Sequence, residues 1–109
     1  MKYEAIRKTV LEAILEAVEK GLINGTSGNI AMRDSEDKNI VAITPSGISY
    51  TGMKPEDIAI VEMKEDGTNE WIDGNYKPSS EVPMHTEVMR KRPDVNATVH
   101  THSMYATIC

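Results

Sequence analysis

The chain has 109 residues, of which 39% are hydrophobic and 27% are charged, and its formal net charge is −5, values typical of one soluble globular domain. The acidic balance and the absence of a long Lys- or Arg-rich run argue against nucleic-acid binding, and no apolar stretch reaches the roughly 18 residues of a membrane span. A single cysteine and the absence of a signal-peptide core favour a cytoplasmic protein.

The first half of the chain predicts one helix followed by two strands. Residues 3–20 carry apolar side chains at every fourth position, which is the pattern of an amphipathic helix. A glycine-rich loop at 25–29 comes next. Residues 29–33 and 39–43 have the composition of strands, and a tight turn at 44–47 follows them.

The second half predicts a hairpin, a helix and a last strand. Pro55 suits the start of a short helical turn, and strands are expected at 58–63 and 69–73. A second helix is expected from residue 79 to about residue 92, and residues 94–102 alternate like a strand. This order predicts an α/β fold with a central mixed or antiparallel β-sheet flanked by helices.

The start of the second helix is a candidate anion site. Ser79 or Ser80 is predicted to cap it, and the N–H groups of a first helical turn favour negative charge. Ser-Ser-Glu is equally typical of a helix start without a ligand. The loops at 25–29 and 44–47 pose the same choice, since their glycines and hydroxyls suit either an oxyanion or plain turns.

A second candidate lies on the last predicted strand, which carries His100-Thr101-His102. Residues two apart on a strand point the same way and lie roughly 6.5–7 Å apart. Two imidazoles at that spacing can bind one Zn²⁺. Two histidines on a polar surface of the sheet would give the same pattern.

The order of these motifs resembles a known family. The chain carries, in sequence, G-T-S-G-N, I-T-P-S-G, K-P-S-S-E and R-P-D-V-N-A-T-V-H-T-H-S. This series is similar to the class II aldolase/adducin family, and within it to enzymes like L-fuculose-phosphate aldolase. The resemblance implies a cytoplasmic homotetramer with its active site near a subunit interface. It also implies one Zn²⁺ per subunit and the reversible cleavage of a ketose 1-phosphate, such as L-fuculose 1-phosphate, to dihydroxyacetone phosphate and an aldehyde.

The resemblance also implies roles for individual residues. Glu81 corresponds to the catalytic acid/base, which can approach the metal when no substrate is bound. His100 and His102 correspond to metal ligands, and a third histidine is expected outside this chain. The pocket for the substrate phosphate corresponds to Thr26, Asn29, Ser46, Gly47, Ser79 and Ser80.

The chain departs from the family in length. Family members are much longer, so we expect residues 1–109 to be the truncated N-terminal portion of a single domain, with no second domain. His85 is expected to pack in the core or behind the ligands. Ribulose-phosphate 4-epimerase, sugar-phosphate dehydratase, a non-catalytic adducin-like scaffold and an inactive fragment are the alternatives. A scaffold has no need of the histidines, the glutamate and the hydroxyls together.

Overall fold

Two helices and six strands make up the part of the chain that the structure describes. The structure, a computed structural model, describes residues 1–23 and 28–100, and the backbone of residues 105–108. In chain order the elements are α1 (Glu4–Glu19), β1 (Asn29–Arg33), β2 (Ile40–Ile43), a 3-10 turn (Pro55–Asp57), β3 (Ala59–Met63), β4 (Asn69–Asp73), α2 (Val82–Lys91), β5 (Ala97–His100) and β6 (Tyr105–Ile108). Each predicted helix and strand is present, and β6 is an additional element. Neither described helix is long and apolar enough to cross a membrane.

The six strands form one sheet in the order β4-β3-β2-β1-β5-β6, and every pair of neighbours is antiparallel. The first four strands follow one another as a meander. The chain then passes through α2 and returns to the opposite side of β1, where β5 pairs with it. The predicted α/β fold with a sheet flanked by helices is confirmed, and the sheet is its antiparallel form.

Both faces of the central strands β1, β2 and β3 are buried, because the two helices pack on opposite sides, whereas the edge strand β4 is largely exposed. Alternate residues of a strand point to opposite faces, and β2 is buried at all four positions. The side chains on the α1 face are Ile30, Ile40, Ala42 and Ile60, packed with Val10, Leu11 and Ile14. Those on the α2 face are Ala31, Val41, Ile43, Ala59 and Val61, packed with Val82 and Met89.

Helix α2 begins later than predicted. Its N-cap is Glu81, which makes no side-chain capping hydrogen bond, so the prediction that Ser79 or Ser80 caps the helix is wrong. Ser79 instead accepts a hydrogen bond on Oγ from the backbone N–H of Glu81, at 3.1 Å. The residues just before the helix pair with a distant segment of the chain, which keeps Ser79 and Ser80 out of the helix. The Glu81 side chain therefore lies at the helix start.

Candidate active site

A cleft of about 160 Å³ opens at the end of the sheet where β1 begins and where β2 and β5 end. Its lining residues are Gly28, Asn29, Pro45, Ser46, Gly47, Tyr50, Ser79, Ser80, Glu81 and His100. Seven of the nine residues singled out in the sequence are therefore brought together here. The other two, Thr26 and His102, lie outside the described residues.

An isolated antiparallel bridge between Pro45 and Pro78 joins the two hydroxyl-bearing segments of the cleft. The N–H of Ser46 donates to the carbonyl of Lys77 at 2.9 Å, and the N–H of Ser79 donates to the carbonyl of Thr44 at 3.1 Å. Proline has no N–H to donate, but the residues beside the prolines make these bonds. The bridge brings segments more than thirty residues apart into register.

Part of the cleft lining consists of neutral hydrogen-bond donors. Ser46 and Ser80 are exposed and Ser79 is buried. Gly47 has a φ of 65°, a conformation in which glycine avoids the strain of a side chain. No lysine or arginine is among the described residues that line the cleft. An oxyanion would therefore be held by hydroxyl and backbone groups.

The cleft lining also contains a carboxylate and an imidazole. Glu81, at the start of α2, and His100, at the end of β5, are both half-buried and both line the cleft. These donor types suit Zn²⁺ or a similar divalent ion. Within residues 1–23 and 28–100, no three His, Cys, Asp or Glu side chains are grouped closely enough to bind a metal. Glu81 and His100 therefore fit part of a metal site, and His102 is the further ligand that the sequence predicts.

A buried hydrogen-bonded relay lies behind His100, between α2 and the sheet. The Nδ1 of His85 is hydrogen-bonded to Thr98 Oγ1, and its Nε2 is hydrogen-bonded to Asn29 Oδ1. Asn29 Nδ2 lies 3.4 Å from His100 Nδ1. The imidazole of His85 is 0% exposed, as expected for a packed residue. Burial, aided by nearby His100, lowers the pKa of His85 to about 4.

Tyr50 belongs to this site although the sequence patterns did not identify it, and it contacts Gly28 of the predicted loop at 25–29. Tyr50 is 2% exposed, and its hydroxyl donates to the carbonyl of Gly28 at 2.5 Å. Gly28 has a φ of 83°, and a Cβ there would approach Ile23 at 2.9 Å and the carbonyl of His100 at 3.0 Å. The glycine thus permits residue 28 to lie close to Ile23 and to the end of β5. No local pattern links Tyr50 to Gly28, because their contact is made only in the folded chain.

Comparison with known proteins gives consistent matches. A family model described as "Class II Aldolase and Adducin N-terminal domain" matches residues 8–109. Over 89 residues the chain is 51% identical to the 5-deoxy-D-ribulose 1-phosphate aldolase of Bacillus thuringiensis serovar kurstaki, a match that covers 82% of this chain and 39% of that protein.

Solved structures with the same fold include two aldolases. An L-fuculose 1-phosphate aldolase is 33% identical with a TM-score of 0.80, and the match covers 94% of this chain and 46% of that one. The L-fuculose-1-phosphate aldolase of Thermus thermophilus is 26% identical with a TM-score of 0.66, over 94% of this chain and 48% of that one. The chain spans less than half the length of each of these relatives.

Proposed function

Because the chain belongs to the class II aldolase and adducin family, we propose that it contributes the cleft of a metal-dependent aldolase acting on a ketose 1-phosphate. The observation that carries the proposal is the meeting of neutral donors, a carboxylate and an imidazole in one cleft. The names of two relatives, which are aldolases of 5-deoxy-D-ribulose 1-phosphate and L-fuculose 1-phosphate, support this substrate class.

The neutral donors would bind the phosphate. Hydrogen bonds from uncharged groups can fix the position of a dianion and orient the carbon chain of the sugar toward the opposite wall. The residues proposed for this role are Asn29, Ser46, Gly47, Ser79 and Ser80, together with Thr26. Those of the six that the structure describes all line the same cleft.

Glu81 would move the proton. Cleavage of a ketose 1-phosphate leaves a carbanion-like enediolate on the three-carbon fragment, and a positioned carboxylate can deliver a proton to that carbon. In the reverse direction the same group removes it. Glu81 suits this role because it lies at the helix start and lines the same cleft as the hydroxyls and His100.

We propose His100 and His102 as ligands of a Zn²⁺ or similar divalent ion, with Glu81 as a further ligand when no substrate is bound. When bound, such an ion acts as a Lewis acid that stabilises the enediolate charge. A third histidine is expected from outside these 109 residues. A cytoplasmic homotetramer with the site near a subunit interface is also proposed, and family membership is its support.

The test is product formation by the intact protein loaded with Zn²⁺. We expect 5-deoxy-D-ribulose 1-phosphate or L-fuculose 1-phosphate to release dihydroxyacetone phosphate, measured by coupled reduction to glycerol 3-phosphate. An epimerase would convert a pentulose phosphate without releasing this product, and a scaffold would consume neither substrate. Failure of both ketose 1-phosphates to yield dihydroxyacetone phosphate would overturn the proposal.

A further inference from the structure

We propose that His85 is a positioning residue that sets the hydrogen-bond direction of the buried relay Thr98–His85–Asn29–His100, and that metal binding at His100 reverses this direction. The inference rests on the proposed function, because it takes His100 as a metal ligand. It concerns the buried groups behind the cleft: His85 is 0% exposed and Thr98 3%, while Asn29, which is 7% exposed, also lines the cleft.

The direction of the relay without metal follows from the chemistry of its partners. An amide oxygen only accepts, so Asn29 Oδ1 requires a proton on Nε2 of His85. The neutral ring then has a bare Nδ1, to which the hydroxyl of Thr98 donates. At the other end Asn29 presents Nδ2 to Nδ1 of His100. Nδ1 of His100 is therefore the acceptor, and its proton resides on Nε2.

This arrangement does not suit a metal-bound His100. Because Asn29 occupies Nδ1 of His100, a metal would bind through Nε2, which must then lose its proton. A neutral imidazole bound in this way carries its proton on Nδ1 and needs an acceptor there. Rotation of the Asn29 carboxamide by half a turn supplies Oδ1 as that acceptor.

The rest of the relay can follow the rotation without losing a bond. After it, Nδ2 of Asn29 donates to Nε2 of His85, whose proton moves to Nδ1. The hydroxyl of Thr98 then accepts where it formerly donated, because a hydroxyl can do either. Thr98 and His100, at the two ends of the relay, are thus hydrogen-bonded before and after the reversal. The residue in the middle must be a neutral histidine, because its two nitrogens can exchange the donor and acceptor roles.

The first test is the tautomer of His85 in the intact protein, measured by two-bond ¹H–¹⁵N NMR with ¹⁵N-labelled histidine. His85 should carry its proton on Nε2 without metal and on Nδ1 after saturation with Zn²⁺. Zn²⁺ bound with an unchanged His85 tautomer would overturn the relay reversal and leave the proposed function intact. Failure of the protein to bind Zn²⁺ at all would overturn both the relay reversal and the proposed function. The two failures can therefore be told apart.

The second test uses matched variants of Thr98, the far end of the relay. Thr98→Ser retains the hydroxyl, while Thr98→Val keeps the shape and removes it. Loss of a hydrogen-bond partner behind a metal ligand costs roughly 10–100-fold in metal affinity. Because Thr98 acts on His100 through the relay, we expect the lower end of this range for Thr98→Val, a Zn²⁺ dissociation constant about tenfold higher. Thr98→Ser should leave this constant little changed. Equal constants for the two variants would contradict the proposal, as would equal constants for Thr98→Val and the wild type.

Discussion

At the scale of single residues, the role proposed for Glu81 depends on where its side chain lies. The carboxylate stands at the N-cap of α2 but makes no capping bond. The usual N-cap residues Ser, Thr, Asp and Asn accept a hydrogen bond from an N–H of the first turn. The backbone N–H of Glu81 donates instead to Oγ of Ser79, and Glu81 lines the cleft.

Glu81→Gln should abolish most turnover while leaving phosphate binding in place. The amide keeps the size of the side chain but cannot carry a proton between carbon and solvent, a role worth about 10²–10⁴-fold in rate. Inorganic phosphate binding, measured by calorimetry, should be nearly unchanged. The control is Glu87→Gln, which changes an exposed residue of the same helix paired with Lys91. Equal activity of the two variants would remove Glu81 from proton transfer.

His85 should make stability depend on pH. The pKa of His85 is about 4 in the folded chain against an ordinary 6.5, so the unfolded chain binds the proton more readily. The stabilisation is complete above pH 6.5 and is lost as pH falls toward 4. At about 1.4 kcal/mol per pKa unit, the difference between the two pKa values amounts to roughly 3–4 kcal/mol.

His85→Gln provides the comparison, because other groups also titrate in this range. Urea unfolding of the wild type and the variant should converge in stability as pH falls from 7 to 4. A constant difference between the two proteins across this range would show that His85 does not carry the effect.

At the scale of elements, the far end of α2 is held by β1. Arg33 is 8% exposed and donates from Nη2 to the carbonyl of Met89 at 2.6 Å, in the last turn of the helix. The last carbonyls of a helix have no partner within it. This bond fixes one end of the helix that carries Glu81 at the other.

Arg33→Met should therefore destabilise the fold. The substitution keeps an aliphatic stem but leaves a carbonyl of the last turn without its charged donor, at a cost of about 1.5–3 kcal/mol. The matched control is Lys91→Met, which removes a cation 74% exposed at the same helix end and should change stability little. Urea midpoints measure both, and similar losses for the two variants would contradict the role of Arg33.

Sequence patterns predicted the strands and helices better than the points at which the connecting segments meet them. Strands β1 and β4 have the bounds expected from composition, because alternation and polar turns are local signals. The start of α2 was misplaced because the bridge from Pro78 to Pro45 is a contact between distant segments. The relay through His85 could not be predicted for the same reason. His85 lies on α2, and its partners Asn29 and Thr98 lie on the distant strands β1 and β5.

At the scale of the whole molecule, one ion pair connects the first helix to the far edge of the sheet. Arg7 on α1 is 2% exposed, and its Nη2 lies 2.8 Å from Oδ2 of Asp73 at the end of β4. Asp73 is 49% exposed, so water screens the attraction between the charges. The buried guanidinium of Arg7 is nevertheless paired in charge with this carboxylate.

Asp73→Asn should destabilise the chain by about 1 kcal/mol, because the buried guanidinium of Arg7 loses the opposite charge beside it. Thermal unfolding followed by circular dichroism measures the loss. Glu70→Gln changes a neighbouring exposed carboxylate that pairs with Lys64 at 3.0 Å, and it should have little effect. A larger effect of Glu70→Gln than of Asp73→Asn would contradict the tie between α1 and β4.

The bridge between Pro45 and Pro78 has a consequence for how such a site can diversify. Because it ties the two hydroxyl-bearing segments to each other, a mutation in one segment disturbs both. Under the proposed function, the two halves of the phosphate site are therefore expected to respond together to a substitution in either segment. Residues outside these two segments are then the places where the fit to the rest of the sugar can change without altering how the phosphate is held.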